Sequence, residues 1–398
     1  MLIHSWRWFG PPDRISLKQI VQTGAENIVS ALHDIPTGEV WESADIRERK
    51  RIITDAGLQW TVVESVPVHE DIKTRSGRYI DLIENFKQTL INLGQEEINT
   101  VCYNFMPALD WSRTDLKFKF EDGAESLYFN YVHFAAIDIY ILQRAGAELS
   151  YPPDVQTRAR EFYNDLDVKT RENLKNTFLL GFPGSGESFT LKQVRERIKV
   201  YEGIDKNEFR SNLEHFLKEV VPVAENAGIR LAIHPDDPPW PLLGMPRLMS
   251  TLEDAEYVIK IIDSPSNGIT FCTGSFGAAI SNDLYNMIDK LAPKINFAHL
   301  RNVVRDEGLN FHEDYFFDGD VDMYRIMKTL VKEDKRRDRE EGNRIGIPLR
   351  PDHGAQILGD VGESNYPGYS LYGRMKNLAE IRGLEIGIRK NLEENHDK

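Results

Sequence analysis

Four residues able to ligate a divalent metal stand at the ends of hydrophobic runs in the second half of the chain. They are His234 in LAIHPDD, Cys272 in ITFCTGS, His299 in INFAHLRN and Asp352 in IPLRPDHG. Two imidazoles, a thiolate and a carboxylate suit Mn2+, Fe2+ or Zn2+. The four are far apart in sequence, so a fold must gather them; close spacing, the signal in a zinc finger, is absent. Each alone also fits a plainer role. The histidines fit a core, Cys272 a small buried hydrophobe, and Asp352 a turn ahead of Gly354. Recurrence at successive strand ends is what points to a metal.

Polar groups suited to a sugar acid lie beside these four. Arg301 follows His299 and Arg350 precedes Asp352, each at a distance of two residues. Guanidinium groups grip carboxylates through parallel hydrogen bonds, although a surface or supporting role fits either arginine alone. His353 adjoins Asp352 and is placed to act as general acid or base near neutral pH. Tyr369, in YPGYS, stands on a turn after the last strand, as a proton carrier or as a packed turn tyrosine. Glu64 and Asn104 end earlier strands and are expected to line the pocket. His312, in FHEDYFFDGDVDMY, is expected to reach in from a later loop.

Eight short, apolar, strand-like segments can position these residues: 2–8, 27–32, 59–65, 99–104, 230–234, 269–272, 295–300 and 345–349. Such runs fit strands buried on both faces. Amphipathic helices are expected between them, at 44–56, 79–93 and 207–226, with Gly57, Gly94 and Gly228 at or just beyond their ends. Ser250 and Thr251 ahead of Glu253 and Asp254 suit another helix start. The alternation predicts an α/β fold, a (β/α)8 TIM barrel, with the metal residues on strands five to eight. Roughly a hundred residues separate strand four from the next barrel helix, far beyond an ordinary loop. The expectation is one catalytic domain over 1–398 with a helical insertion at 106–205, helical near 127–144 and 155–180, serving as a lid or as structural and oligomer-forming mass. The segment 378–390 is expected as a closing helix, and the charged run 332–344 as a solvated helix end.

Bulk properties narrow the classes. The chain has 398 residues, 41% hydrophobic, enough for a large core. Lys+Arg 49 against Asp+Glu 63 gives a net charge of −14, which argues against a nucleic-acid or anionic-membrane surface. Two cysteines, Cys102 and Cys272, form no disulfide framework, and Cys102 falls mid-strand as core. The start, MLIHSWRWFG, lacks a secretory pattern, and no run approaches the roughly 18 apolar residues of a membrane helix. A cytoplasmic protein is expected. GFPGSGES lacks the lysine of a phosphate loop. Asp318, Asp320 and Asp322 alternate like a calcium loop, but Met323 and Thr329 stand where glycine and glutamate belong. No nucleophile elbow and no dinucleotide fingerprint is found.

Ordered blocks along nearly the whole chain resemble the mannonate dehydratase family: WRWFGPPD, EVWE, VVESVPVHEDIKT, TVCYNFMPALDWSRTDL, HPDDPPWPLLG, CTGS, HLRN, GDVDMY, RPDHG and YPGYS. The resemblance implies a xylose-isomerase-like barrel. It implies a hydro-lyase that converts D-mannonate to 2-dehydro-3-deoxy-D-gluconate in hexuronate (glucuronate) catabolism, with one Mn2+ or Fe2+ per site. By that resemblance His234, Cys272, His299 and Asp352 hold the metal, and Arg350, His353 and Tyr369 are catalytic. A homo-oligomer, a dimer, is expected. The C2 proton of an aldonate is weakly acidic beside its carboxylate, so a metal, a base and an acid are all needed. His353 and Tyr369 share the last two roles in an order the residues leave open. Three other readings compete: a sugar isomerase or epimerase, which favours hard carboxylates and often two metals; a phosphodiesterase or nuclease, which wants a basic groove; and a non-catalytic sugar-acid binder with a structural zinc.

Overall fold

The computed structural model describes residues 2–182, 189–340 and 346–394. Twelve strands are present among them. Eight close a parallel barrel: β1 (Ile3–Arg7), β2 (Asn27–Ser30), β3 (Gln59–Glu64), β4 (Thr100–Tyr103), β7 (Arg230–Ile233), β8 (Asn267–Cys272), β9 (Ile295–Leu300) and β12 (Pro348–Pro351). The other four are β5 (Asp115–Lys119), β6 (Glu125–Phe129), β10 (Asn302–Arg305) and β11 (Phe311–Asp314). The barrel strands match the eight expected segments because each is covered on both faces; every residue of β8 and β9 is buried. Cys102 sits in the lumen with Val29, Val62, Ala232 and Phe297, as core.

The last barrel strand begins later than its apolar run suggests. Its register pairs Ile3 with Pro348 and His4 with Leu349, and on the other side Arg350 with His299. Arg350 therefore lies inside the strand, and Asp352 just beyond it. Ile345 lies outside the described residues.

Helices Ser43–Asp55 and Lys206–Asn226 fall where expected, and Thr251 caps Leu252–Ile261. Helix Tyr79–Gln95 runs through Gly94 instead of stopping there. A Cβ on Gly94 would lie 2.3 Å from the carbonyl oxygen of Ala227, so this glycine serves close helix packing. The run at 332–344 is also not simply solvated. It ends helix Met323–Glu340, where Glu333, Asp334 and Arg337 are buried. Arg337 donates to the carbonyls of Ala292 and Ile295 on the barrel side, and Arg389 pairs with Asp334. Residues 341–345 lie outside the description. Helix Tyr372–Glu394 closes the barrel, its Glu385 bonded to His4 of β1 at 2.7 Å.

The insertion is only partly helical. It opens with the hairpin β5–β6, which joins β10 and β11 in a four-stranded antiparallel sheet ordered β10-β11-β6-β5. Two barrel loops, after the fourth and seventh barrel strands, thus build one sheet at the mouth. The hairpin is hard to see in sequence because β5 is an edge strand with exposed alternate residues, Asp115, Lys117 and Lys119. The segment 127–144 is strand to Phe129, then helix Tyr131–Ala136 and a π-helical turn. The segment 155–180 is two helices, Pro153–Asp165 and Val168–Leu179, the second capped by Asp167. The returning chain is tied down where Tyr201 and Arg197 bond Glu70. The loop motif GFPGSGES falls mostly outside the described residues, from Pro183 to Ser188. Asp320 and Asp322 are spent on Arg305 and on the turn into helix Met323–Glu340, as expected of a failed calcium loop. No helix among the described residues is long and apolar enough to cross a membrane.

Gly94→Ala tests the packing reading. Helix propensity alone would stabilise by about 1 kcal/mol. Contact with the Ala227 carbonyl should reverse the sign, and a net loss of roughly 1–3 kcal/mol is expected in denaturant unfolding.

Candidate metal centre and active site

Ligand-capable atoms of His234, Cys272 and His299 all lie within 4.8 Å of one another at the barrel mouth. Asp352 joins them: its oxygens lie 3.5 Å from Cys272 Sγ and 3.6 Å from His299 Nδ1. Adjacent strand ends β7, β8, β9 and β12 bring the four together, in parallel register.

The arrangement of these groups is one that could hold a cation. His234 Nδ1 lies 2.7 Å from the Pro235 carbonyl, which can only accept, so Nδ1 carries the proton and Nε2 a lone pair. His299 turns Nε2 toward the Glu64 carboxylate at 3.4 Å, without a hydrogen bond, and Nδ1 toward His234. His234 Nε2 and His299 Nδ1 are 3.1 Å apart. A divalent cation could be shared by these two nitrogens. Burial and then Arg350 push the His299 imidazole down to about 4, so it is neutral and ready to ligate at pH 7. Burial and then Asp352 push the Cys272 thiol up to about 12. The sulfur accepts from Ser275 N at 3.4 Å and Ser275 Oγ at 3.1 Å, donors that suit a thiolate.

Beside the cluster lies a web of buried charge. Arg350 donates to both oxygens of Glu64, at 2.9 and 2.8 Å, and its Nη2 lies 3.0 Å from Asp352. Burial raises the Glu64 carboxyl, but Arg350, His299 and Arg7 overcome this and hold it well below its usual range. Arg301 bonds Glu313 at 3.1 Å and Asp237 at 2.7 Å, and lies 3.1 Å from Asp352. Arg113, from the insertion, spans the same two acids, Asp237 at 2.8 and 3.1 Å and Glu313 at 2.6 and 3.1 Å. His353 turns Nδ1 to Glu313 at 2.8 Å. Its ring meets Tyr369 edge-on with centroids 5.1 Å apart. Gly368 allows this approach: its φ is +81°, and a Cβ there would lie 2.7 Å from the His353 ring.

The structure thus gathers His234, Cys272, His299, Asp352, Arg301, Arg350, Glu64, His353 and Tyr369. Asn104 follows β4, half-buried, with no side-chain bond described. His312 is not brought to the cluster. It pairs with Tyr128 on β6 and stacks on Phe118 at 4.8 Å. Alternation along β11 sends its neighbour Glu313 inward instead. Sequence reasoning missed Arg113, Asp237 and Glu313. The acidic pair after His234 in HPDD and the alternation in FHED were the available signals.

A parallel barrel with two imidazoles, a thiol and a carboxylate at its mouth, and a histidine–tyrosine pair alongside, fits a class: barrel proteins with a group at the mouth that could hold a divalent metal. The comparisons resolve the class further. The chain matches the family model D-mannonate dehydratase (UxuA) over residues 2–395 and belongs to that family. It is 50% identical over 390 residues to a mannonate dehydratase of Marinomonas sp. (strain MWYL1), covering 98% of this chain and all of that one. It is 51% identical over 388 residues to one from Chromohalobacter salexigens, covering 97% and 99%. The crystal structure of mannonate dehydratase from Streptococcus suis serotype 2 aligns with a TM-score of 0.78 at 33% identity, over 98% of this chain and 96% of that one.

Two predictions follow from the electrostatics. Metal uptake at neutral pH should release a proton from Cys272, so apparent affinity should rise with pH; calorimetry in buffers of different ionisation enthalpy reads the proton directly. Affinity flat from pH 6 to 8 with no proton released would exclude the thiolate. The second concerns Glu313. Burial raises its carboxyl, but His353, Arg301 and Arg113 hold it at about 2, against an ordinary 4.5. A depressed folded value means stability present above 4.5 and lost as pH falls towards 2. Glu313→Gln should be less stable than wild type at neutral pH, and denaturant midpoints should converge as pH falls through that window.

Proposed function

We propose that the chain removes water from D-mannonate, giving 2-dehydro-3-deoxy-D-gluconate, with one Mn2+ or Fe2+ held by His234, Cys272, His299 and Asp352. Family membership makes it a hydro-lyase acting on a sugar acid. The observation that carries the detailed reading is the His353–Tyr369 pair, set edge to face at 5.1 Å next to Asp352.

When bound, the ion supplies positive charge against the substrate's carboxylate end, which eases formation of negative charge at C2. His353 commits its Nδ1 proton to Glu313, 2.8 Å away, so Nε2 keeps a lone pair and takes the C2 proton. The electron pair left at C2 forms the C2–C3 double bond as the C3–O bond breaks. Burial raises the Tyr369 phenol more than Arg350 lowers it, so the phenol is protonated at neutral pH. It donates to the departing hydroxyl, which leaves as water. The resulting enol gives up its C2 hydroxyl proton and gains one at C3, becoming the 2-keto-3-deoxy acid. Arg350 and Arg301 spend their donors mainly on protein carboxylates. Their part is to fix Asp352, Glu64 and Glu313. Asn104 is left as a pocket-lining residue, and His312 as a support for the sheet.

The same proposal takes 1–398 as one catalytic unit in which 106–205 serve as a lid. Arg113 supports this, because it reaches from the insertion to two acids at the mouth. The enzyme is read as a cytoplasmic homodimer without nucleic-acid or membrane partners, and the net charge of −14 supports the last point.

The test is to strip the protein of metal, add back Mn2+, Fe2+ or Zn2+ separately, and assay D-mannonate for a 2-keto-3-deoxy product. No product with any metal would refute the dehydratase reading. His353→Asn should leave metal binding intact while lowering kcat by roughly 10²–10⁴-fold; near-normal turnover would remove His353 from the mechanism.

A further inference from the structure

Arg7 ends β1, and its side chain faces the mouth, with Nη1 3.8 Å from Glu64 Oε2. It is 7% exposed, yet Nε and Nη1 make no hydrogen bond among the described residues. Glu64 does not satisfy it: the separation exceeds a hydrogen bond, and both oxygens already accept from Arg350. Arg247 also leaves two nitrogens unbonded, but it faces Asp236 at 3.7 Å and donates to the Leu109 carbonyl, whereas three other guanidinium groups beside the metal cluster differ from Arg7. Arg113 and Arg350 spend every nitrogen on protein acceptors. Arg301 leaves only Nε unbonded, and that atom is covered by the Gly274 turn, where an added Cβ would lie 1.9 Å away.

The surroundings of Arg7 form a wall of the same pocket. Its guanidinium lies 5.0 Å from the Phe9 ring, and Phe9 meets the Tyr369 ring edge-on at 4.8 Å. His33 stands 5.7 Å from Phe9 on the other side, a second cation-capable group, which burial and Arg7 keep neutral. A buried cation with unspent donors is costly unless an anion meets it. We propose that Arg7 binds the substrate, donating its free N–H groups to the carboxylate of the sugar acid and setting the preference for an anion over a neutral polyol. The inference rests on the dehydratase reading for the identity of the substrate and adds to it the residue that selects for charge.

The test compares the Mn2+-loaded wild type with Arg7→Met and Arg7→Lys. Binding of D-mannonate and of D-mannitol, its uncharged analogue, is measured by calorimetry with His353→Asn added to each protein so that no turnover occurs, alongside steady-state kinetics and metal affinity without that change. The expected result for Arg7→Met is a loss of roughly 10–100-fold in the mannonate-over-mannitol preference, the worth of one charge-assisted hydrogen bond. KM should rise more than kcat falls, and metal affinity should stay put. Arg7→Lys should recover part of the preference, which separates lost charge from misfolding. An unchanged preference in Arg7→Met would overturn the assignment, as would a drop in metal affinity with the preference intact, the mark of a residue that only steadies Glu64. Failure of the wild type to turn over D-mannonate counts against the dehydratase reading alone, because the binding ratio is read without turnover.

Discussion

Arg350 reaches from the last barrel strand across the lumen to Glu64 on the third and keeps a nitrogen 3.0 Å from Asp352. Much of the site hangs on that bridge. Glu64 is the carboxylate behind His299, and Asp352 is the one beside Cys272. Removing one member of a buried, hydrogen-bonded ion pair costs about 3–5 kcal/mol, because the partner is left charged in a dry place. The bridge therefore does two jobs. It ties together two barrel strands far apart in sequence, and it sets charge beside one imidazole and beside Asp352.

The second sheet extends this logic outward. Glu313 on β11 accepts from Arg301 and Arg113 and holds His353, so barrel strand, insertion and the turn after the last strand meet on one carboxylate. Asp237 repeats the pattern one strand away. Paired acids and guanidinium groups at this density are poor sources of net stability. Their value lies in fixing side chains whose rotamers would otherwise wander, as a preorganised site requires.

The barrel and the cluster at its mouth were readable in the sequence for a simple reason. Each candidate ligand terminates an apolar run, and parallel strands end together at one rim. His353 and Tyr369 were readable because they flank the last such run. Glu313, Asp237 and Arg113 were not, because their partners lie far away in the chain and only the topology introduces them. His312 and Glu313 show the limit most directly: the two neighbours are equally plausible on paper, and strand alternation decides between them. The hairpin β5–β6 was hidden by its polar edge strand. The run at 332–344 misled because buried arginines and acids have the same letters as solvated ones.

Sharing a sheet also changes what the loops at the mouth are free to do. In an ordinary barrel the eight loops vary in length and sequence almost independently of one another. Here the hairpin at 115–129 and the ribbon at 302–314 are stitched edge to edge through Phe129 and Phe311. A deletion or insertion in either would slip the register of both and turn Glu313 away from His353. Beyond Phe129 the chain joins no strand of that sheet, and the helices Pro153–Asp165 and Val168–Leu179 can lengthen or shorten, provided Arg197 still returns to Glu70. Inheritance in this lineage should therefore hold the hairpin's length fixed while letting the helical remainder drift.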